Sequence, residues 1–279
     1  FVAISRTDVN ADGEGRREVE QLHLDQIAAA REWIYIENQY LTSATVVSAL
    51  CHRLLDAGGP EVLIVLPLKN SGWLEEHTIE ALRSRSIHRL RQADRFSRLR
   101  ICYPVVPGLC GEPVGVHSKV LVVDDRLFRV GSSNLANRSM RLDTECDLTI
   151  EATSDLQELA IAGLRNGLLA EHLGMTPEAV GAFLAGDRSL VRLVDSRKAA
   201  SRGLRDLPSE DPSKAMLAAG ALIDPAGPIT ADMVIEALAS VPAPPFRRSL
   251  RWAVAGGVIA AAAVAAWRHV RARRSRPRR

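Results

Sequence analysis

Residues 117–145 read HSKVLVVDDRLFRVGSSNLANRSMRLDTE, and the alternation within them defines two neighbouring strands. Val116 to Val123 is apolar and β-branched around His117 and Lys119, the pattern of a buried strand. Successive strand side chains alternate faces, so His117 and Lys119 project together while Val116, Ser118 and Val120 point the other way. Asp124-Asp125-Arg126 is a turn, and Leu127 to Val130 returns as the adjacent strand. That return delivers Gly131-Ser132-Ser133-Asn134 beside the start of the first strand. Gly131 allows the backbone to approach a ligand closely, and Ser132 and Asn134 share a face. Asp124 is left at the turn end, where its expected role is tying down the turn by local hydrogen bonds.

Each residue type brought to this pocket suits a phosphodiester. An imidazole can attack phosphorus or protonate a leaving oxygen. An ammonium, a hydroxyl and a carboxamide can each donate to the non-bridging oxygens, whose charge must be held in the transition state.

The constellation resembles the phospholipase D superfamily, whose HKD motif is matched by His117, Lys119 and Asp124, with Gly131, Ser132 and Asn134 following at the family's spacing. The likeness extends over residues 1–175. Tyr35-Ile36-Glu37-Asn38-Gln39-Tyr40 is similar to the segment that opens the C-terminal half of two-motif phospholipases D. The resemblance implies that Glu145 hydrogen-bonds the second ring nitrogen of His117. It implies phosphate contacts from Lys119, Ser132 and Asn134, and structural roles for Asp124 and Gly131. It also implies a two-histidine displacement that needs no metal and no cofactor. One histidine attacks phosphorus and becomes a phosphohistidine; the other protonates the leaving alcohol and then activates water or a second alcohol. His117 inherits the second role, and a carboxylate at Glu145 would fix its tautomer.

Such a site needs two histidines, and His23, His52, His77, His88, His172 and His269 are not followed by x-Lys. The sequence opens at Phe1 in a strand-like run, so the expected partner is a first motif lying upstream of it. Two copies paired about a twofold axis are the alternative.

Net charge over the 279 residues is +3, but residues 247–279 hold ten arginines and no acid, leaving 26 basic against 33 acidic groups before them. A body of net charge −7 fits nucleic acid poorly, because such binding rests on basic surface. No nucleic-acid partner is expected.

Strand and helix patterns alternate through residues 1–196. Helices are expected at Glu18–Glu32, Ala44–Leu55 and Leu74–Gln92, with strands at Trp33–Glu37, Val62–Leu66, Leu99–Tyr103 and Asp147–Glu151. Ser154 with Gln157 makes a capping box for the next helix; Gly174 ends it and Thr176-Pro177 starts another. The fold class is α/β, a mixed sheet flanked by helices. Cys102 and Cys146 fall in strands and are expected in the core, and the four cysteines have no metal-ligand spacing. Asp8 to Gly13 imitates the start of a calcium loop, but Val19 stands where the bidentate Glu is needed, so it reads as an acidic loop.

Residues 197–246 are proline-rich and read as a linker with one short helix near Ala231–Ser240. From Trp252 to Trp267 no charge occurs; arginines stand on both sides, and eight of the sixteen residues are alanine. Sixteen helical residues span about 24 Å against a hydrocarbon core of about 30 Å, so flanking arginine stems would have to snorkel. The expectation is a membrane-associated protein with a span here and a basic tail on an anionic lipid surface, the side of the membrane left open. Phospholipid is the expected substrate. Alternative readings are a cardiolipin-synthase-type transferase, a nuclease of the same superfamily, and a membrane scaffold with half a site.

Overall fold

The computed structural model describes residues 1–8, 15–69 and 73–240. The chain opens with strands β1 (Val2–Asp8) and β2 (Arg16–Arg17) and helix α1 (Glu18–Ala29). Strands and helices then alternate: β3 (Trp33–Glu37), α2 (Ala44–Leu55), β4 (Glu61–Val65), α3 (Trp73–Ala93) and β5 (Leu99–Val105). A hairpin of β6 (Val120–Val123) and β7 (Leu127–Gly131) leads through α4 (Asn137–Arg141) to β8 (Glu145–Glu151). Helices α5 (Asp155–Leu173), α6 (Pro177–Asp187) and α7 (Leu190–Ser196) precede β9 (Gly203–Asp206), α8 (Lys214–Ile223) and α9 (Ala231–Ala239).

Among the described residues the strands form one nine-stranded sheet in the order β2-β1-β8-β7-β6-β3-β4-β5-β9. β3, β4 and β5 run parallel, joined by the helical crossovers that parallel strands require. The other neighbours are antiparallel. All five residues of β3 are buried because helices cover both faces of the sheet centre. Ile34, Ile36, Val62, Ile64, Leu121 and Val123 pack with α1, α2 and α3. Tyr35, Leu63, Val65, Val120 and Val122 face α5, α6 and α7. Burying each such side chain contributes about 1.5–3 kcal/mol.

The caps follow local chemistry. Ser43 and Thr176 accept from the amides of Val46 and Ala179, and Gly174 closes α5 in the left-handed conformation with φ 62°. Ser154 makes no side-chain cap at the start of α5. Gln157 instead reaches back to the amide and hydroxyl of Thr153, at 2.7 and 3.0 Å.

The stretch from residue 197 carries more structure than a linker with one helix. β9 adds to the sheet beside β5, and α8 crosses α3 so closely that a Cβ on Gly220 would lie 2.7 Å from the Thr78 carbonyl. Asp224, buried at the end of α8, accepts from the amide of Arg138 at 2.8 Å and the hydroxyl of Thr42 at 2.5 Å. It thereby caps α4 from 86 residues away. One compact unit accordingly runs from Phe1 to Leu238. Among the described residues no helix is long and apolar enough to cross a membrane. The expected helix at Trp252–Trp267 and its basic tail lie outside the described residues, as does most of the acidic loop after Asp8.

Candidate active site

The motif segments meet where β3 ends, β6 begins, β7 ends and β8 begins. In open α/β sheets the carboxyl ends of parallel strands are where ligands bind, and β3 ends here in Glu37. The β6–β7 turn at the far end places Asp124 and Asp125 at φ 50° and 54°, with the amide of Arg126 donating to the Val123 carbonyl at 2.9 Å. Positive φ at both central residues is the tight-hairpin pattern that Asp tolerates. Among the described residues the carboxylate of Asp124 makes no bond within its own turn, contrary to the expected local role. It accepts from the amides of Arg31, Glu32 and Trp33, at 2.6, 2.8 and 2.9 Å. The motif's aspartate thus fixes the entry to β3, at the end of the sheet remote from His117.

At the site end, Lys119 is 7% exposed. Its ammonium donates to the His117 carbonyl at 2.9 Å and to Gln39 Oε1 at 3.4 Å. Burial lowers its pKa from the usual lysine value, and the charge of Glu145 opposes that shift. The Ser132 hydroxyl donates to Glu145 Oε2 at 2.5 Å and accepts from the amide of Cys146 at 3.0 Å. The structure brings Ser132 against Glu145 and puts Lys119 within reach of that carboxylate's charge. Residues 112–119 and 132–134 lie outside the strands, so the expected strand alternation from Val116 does not place them. Asn134 follows, its amide donating to the Ser139 hydroxyl at 3.2 Å, its side-chain oxygen buried and unpartnered among the described residues. The imidazole of His117 is exposed and makes no hydrogen bond with a described residue. Glu145 is bonded to Ser132, its neighbour across β7 and β8, and not to His117.

Gly131 has a different reason from the expected one. A Cβ there would sit 1.9 Å from Asp147 Oδ1 and 2.7 Å from Asp147 Cα, so the glycine admits the neighbouring strand. Asp147 is wholly buried with Arg129, 1% exposed. The Arg129 guanidinium donates to Asp147 Oδ2 at 2.9 and 2.5 Å, and Asp147 accepts from the amide and hydroxyl of Ser133 at 3.2 and 2.7 Å. Burial raises the carboxyl pKa of Asp147, but Arg129 and Ser133 outweigh it and hold it below the ordinary range. His23 of α1 lies against this pair with Nδ1 2.8 Å from the Val19 carbonyl. Burial, with Arg129 adding to it, lowers its pKa to about 3.

Three consecutive residues after Ile36 stitch the motif segments together. Glu37 accepts from the Ser118 hydroxyl at 2.6 Å. Asn38 accepts from the amide of Leu135 at 3.0 Å and donates to the Ser133 carbonyl at 3.4 Å. Gln39 receives Lys119. Sequence reading marked this segment by likeness alone and missed Asp147, Arg129 and His172. The available signal was a carboxylate closing an otherwise apolar strand, since buried charge needs a partner. Cys102 is buried as expected, whereas Cys146 is exposed, because the β8 residues Cys146 and Leu148 lie on the face that α5, α6 and α7 leave open.

Residues 23–161 match the family described as "Cardiolipin synthase, PLD-like domain". The chain is 24% identical over 212 residues to a phospholipase D of Phytophthora infestans, covering 57% of this chain and 12% of that protein. It is 29% identical over 205 residues to phospholipase D zeta 1 of Arabidopsis thaliana, covering 53% and 18%. The chain thus spans less than a fifth of the length of these relatives. Among solved structures it is similar to Nuc, a phospholipase D family member from Salmonella typhimurium, with TM-score 0.42, 15% identity, and coverage of 75% of this chain and 99% of that one. It is also similar to phosphatidylserine synthase of Haemophilus influenzae, with TM-score 0.46, 19% identity, and coverage of 71% and 48%. The matched stretch spans both the His-x-Lys and the Gly-Ser-x-Asn segments, and this chain belongs to the phospholipase D superfamily.

Proposed function

We propose that the chain carries one half of a histidine-based phosphodiesterase site acting on phospholipids. The observation that carries this reading is the grouping of Lys119, Ser132 and Glu145 at one end of the sheet, with His117 exposed to solvent and its carbonyl held by the Lys119 ammonium. Lys119, Ser132 and Asn134 hold the non-bridging oxygens. A histidine from a second half, in the same longer protein or in a second copy, attacks phosphorus. The bond from phosphorus to the leaving alcohol breaks, and protonated His117 gives its proton to that oxygen. Water or another alcohol then attacks the phosphohistidine and passes its proton to His117, freeing the first histidine. Glu145 is the counter-charge for protonated His117 once substrate engages the Ser132 hydroxyl. Transfer to an alcohol is the second reading, favoured by the cardiolipin-synthase description of the matched family. Membrane association through residues 247–279 belongs to the same proposal; it rests on the apolar, arginine-flanked sequence there.

The test is incubation of the chain, alone and within the longest protein that contains it, with mixed phospholipids and ethanol. Phosphatidic acid and phosphatidylethanol are the expected products, and His117→Ala is expected to lose at least ~10²-fold in turnover. A near-normal rate in that variant would overturn the assignment; cleavage of plasmid DNA without lipid turnover would shift it to a nuclease.

A further inference from the structure

We infer that Glu37, gripped from behind by His172 and Tyr35, is the positioning residue that sets the backbone of His117 through Ser118. The inference rests on the reading of His117 as the acid–base group.

The ladder of β6 begins at Val120, which pairs with Glu37 as the last step between β3 and β6. Residues 112–119 have no regular secondary structure; the β7 amide of Gly131 reaches the Lys119 carbonyl at 3.2 Å, and the peptide units on either side of His117 stand beyond the ladder. Beyond that one backbone bond, the ties on residues 116–119 among the described residues come from side chains. Val116 is buried among the apolar residues facing α5, and Lys119 folds back onto the His117 carbonyl. Between them, Ser118 points to the opposite face and donates to Glu37 at 2.6 Å. It is the tie next to the imidazole.

Glu37 is 4% exposed, and a carboxylate so buried must be satisfied by donors. It has three. Ser118 takes Oε2, while the Tyr35 hydroxyl and His172 Nε2 both reach Oε1, the latter at 3.0 Å. A carboxylate only accepts, so His172 Nε2 carries the proton in this contact. His172 sits in the last turn of α5, which locks that helix to the strand end. Burial disfavours the charge of Glu37, yet the donors outweigh it and hold its pKa below the ordinary range. None of the four side chains shares the face of Lys119, so Glu37 acts on the site through Ser118 and not by touching substrate. A glutamine at 37 would set an amide against donors and weaken the grip.

Placement matters at this position because a shift of about 1 Å in a reacting group can cost up to ~10²-fold in rate. The experiment compares the full chain with Ser118→Ala, Ser118→Thr and Glu37→Gln. The first readout needs no substrate: backbone order parameters at 116–119 measured by nitrogen relaxation. In Ser118→Ala they are expected to fall from about 0.85 towards 0.6, with Val120–Val123 unchanged and Ser118→Thr restoring them. The second is turnover of a soluble chromogenic phosphodiester, with kcat down roughly 10- to 100-fold and KM within about twofold. Order parameters unchanged in Ser118→Ala would overturn the inference, as would loosened order with kcat intact. Absence of turnover in the longer protein that supplies the second histidine, as well as in the chain alone, would remove the phosphodiesterase reading, and the order parameters would still decide whether Glu37 holds this segment.

Discussion

Ser118 and Ser133 occupy equivalent places, each between two residues of the site and each donating to a buried carboxylate, but the two carboxylates are backed differently. Asp147 is paired with Arg129, and both side chains are within 1% of complete burial. Glu37 is paired with His172, whose side chain is 15% exposed. The Ser133 grip lies inside the sheet, between β7, β8 and α1, and forms only when those elements pack. The Ser118 grip depends on the end of α5 docking against a strand that is already complete. One hold is therefore part of the fold's core, the other a strut added to it. A guanidinium is charged at every accessible pH, whereas Nε2–H of an imidazole donates whether the ring is neutral or protonated.

Breaking the core pair should be the costliest change. Asp147→Ala leaves the Arg129 charge buried without its partner, and such losses run to about 3–5 kcal/mol. Urea unfolding at neutral pH is the measurement. A loss below about 1 kcal/mol would mean that water reaches Arg129 once the carboxylate is gone, and the distinction between core and strut would fail. Breaking the strut should cost less. His172→Leu removes one of three donors from Glu37, a change of about 1–3 kcal/mol. It should unsettle residues 116–119 in relaxation measurements and leave 132–134 as they were. Equal disturbance of both segments would show that the two grips are one network.

The difference also explains what was legible in the sequence. The parallel centre reads plainly, because β3 and β4 are apolar runs buried on both faces. At β8 the usual pattern inverts: Asp147 and Thr149 are buried while Leu148 is exposed. In β1, Thr7 is buried while Val2 and Ile4 are exposed. Alternation gives the period correctly there and the face wrongly, since the polar face meets α1 and its histidine. The buried pair beneath Ser133 was invisible for that reason. The motif residues themselves were legible from spacing, except that the partners of Glu145 and Asp124 depend on contacts no local rule supplies. β9 escaped because Gly203-Leu204-Arg205-Asp206 is short and half charged, and becomes a strand only by pairing with β5. Asp224 escaped for a similar reason; its role as a cap exists only when α8 lies on α3.

The smallest effect sharpens the comparison through pH. His23 faces Arg129 inside the core grip, and its pKa falls from 6.5 to about 3 because burial and that cation both disfavour its protonation. In the unfolded chain the ring takes up a proton below about pH 6.5. Between that value and the folded pKa the unfolded state binds more protons, so stability must fall as pH falls. The contribution is fully present above pH 6.5 and should be reduced by about 1.4 kcal/mol near pH 5.5. His23→Gln carries no such proton, so its urea midpoint should drop less than the parent's over the same interval, whatever its offset at neutral pH. Asp147 adds little to this slope, since its carboxyl is ionised in both states above about pH 5. Identical slopes in parent and variant would mean that the ring is protonated in the folded protein, and Arg129 would then need a water or a shift of α1 to tolerate it. A slope confined to the parent would show that the core grip on Ser133 resists acid only as far as its neutral histidine allows.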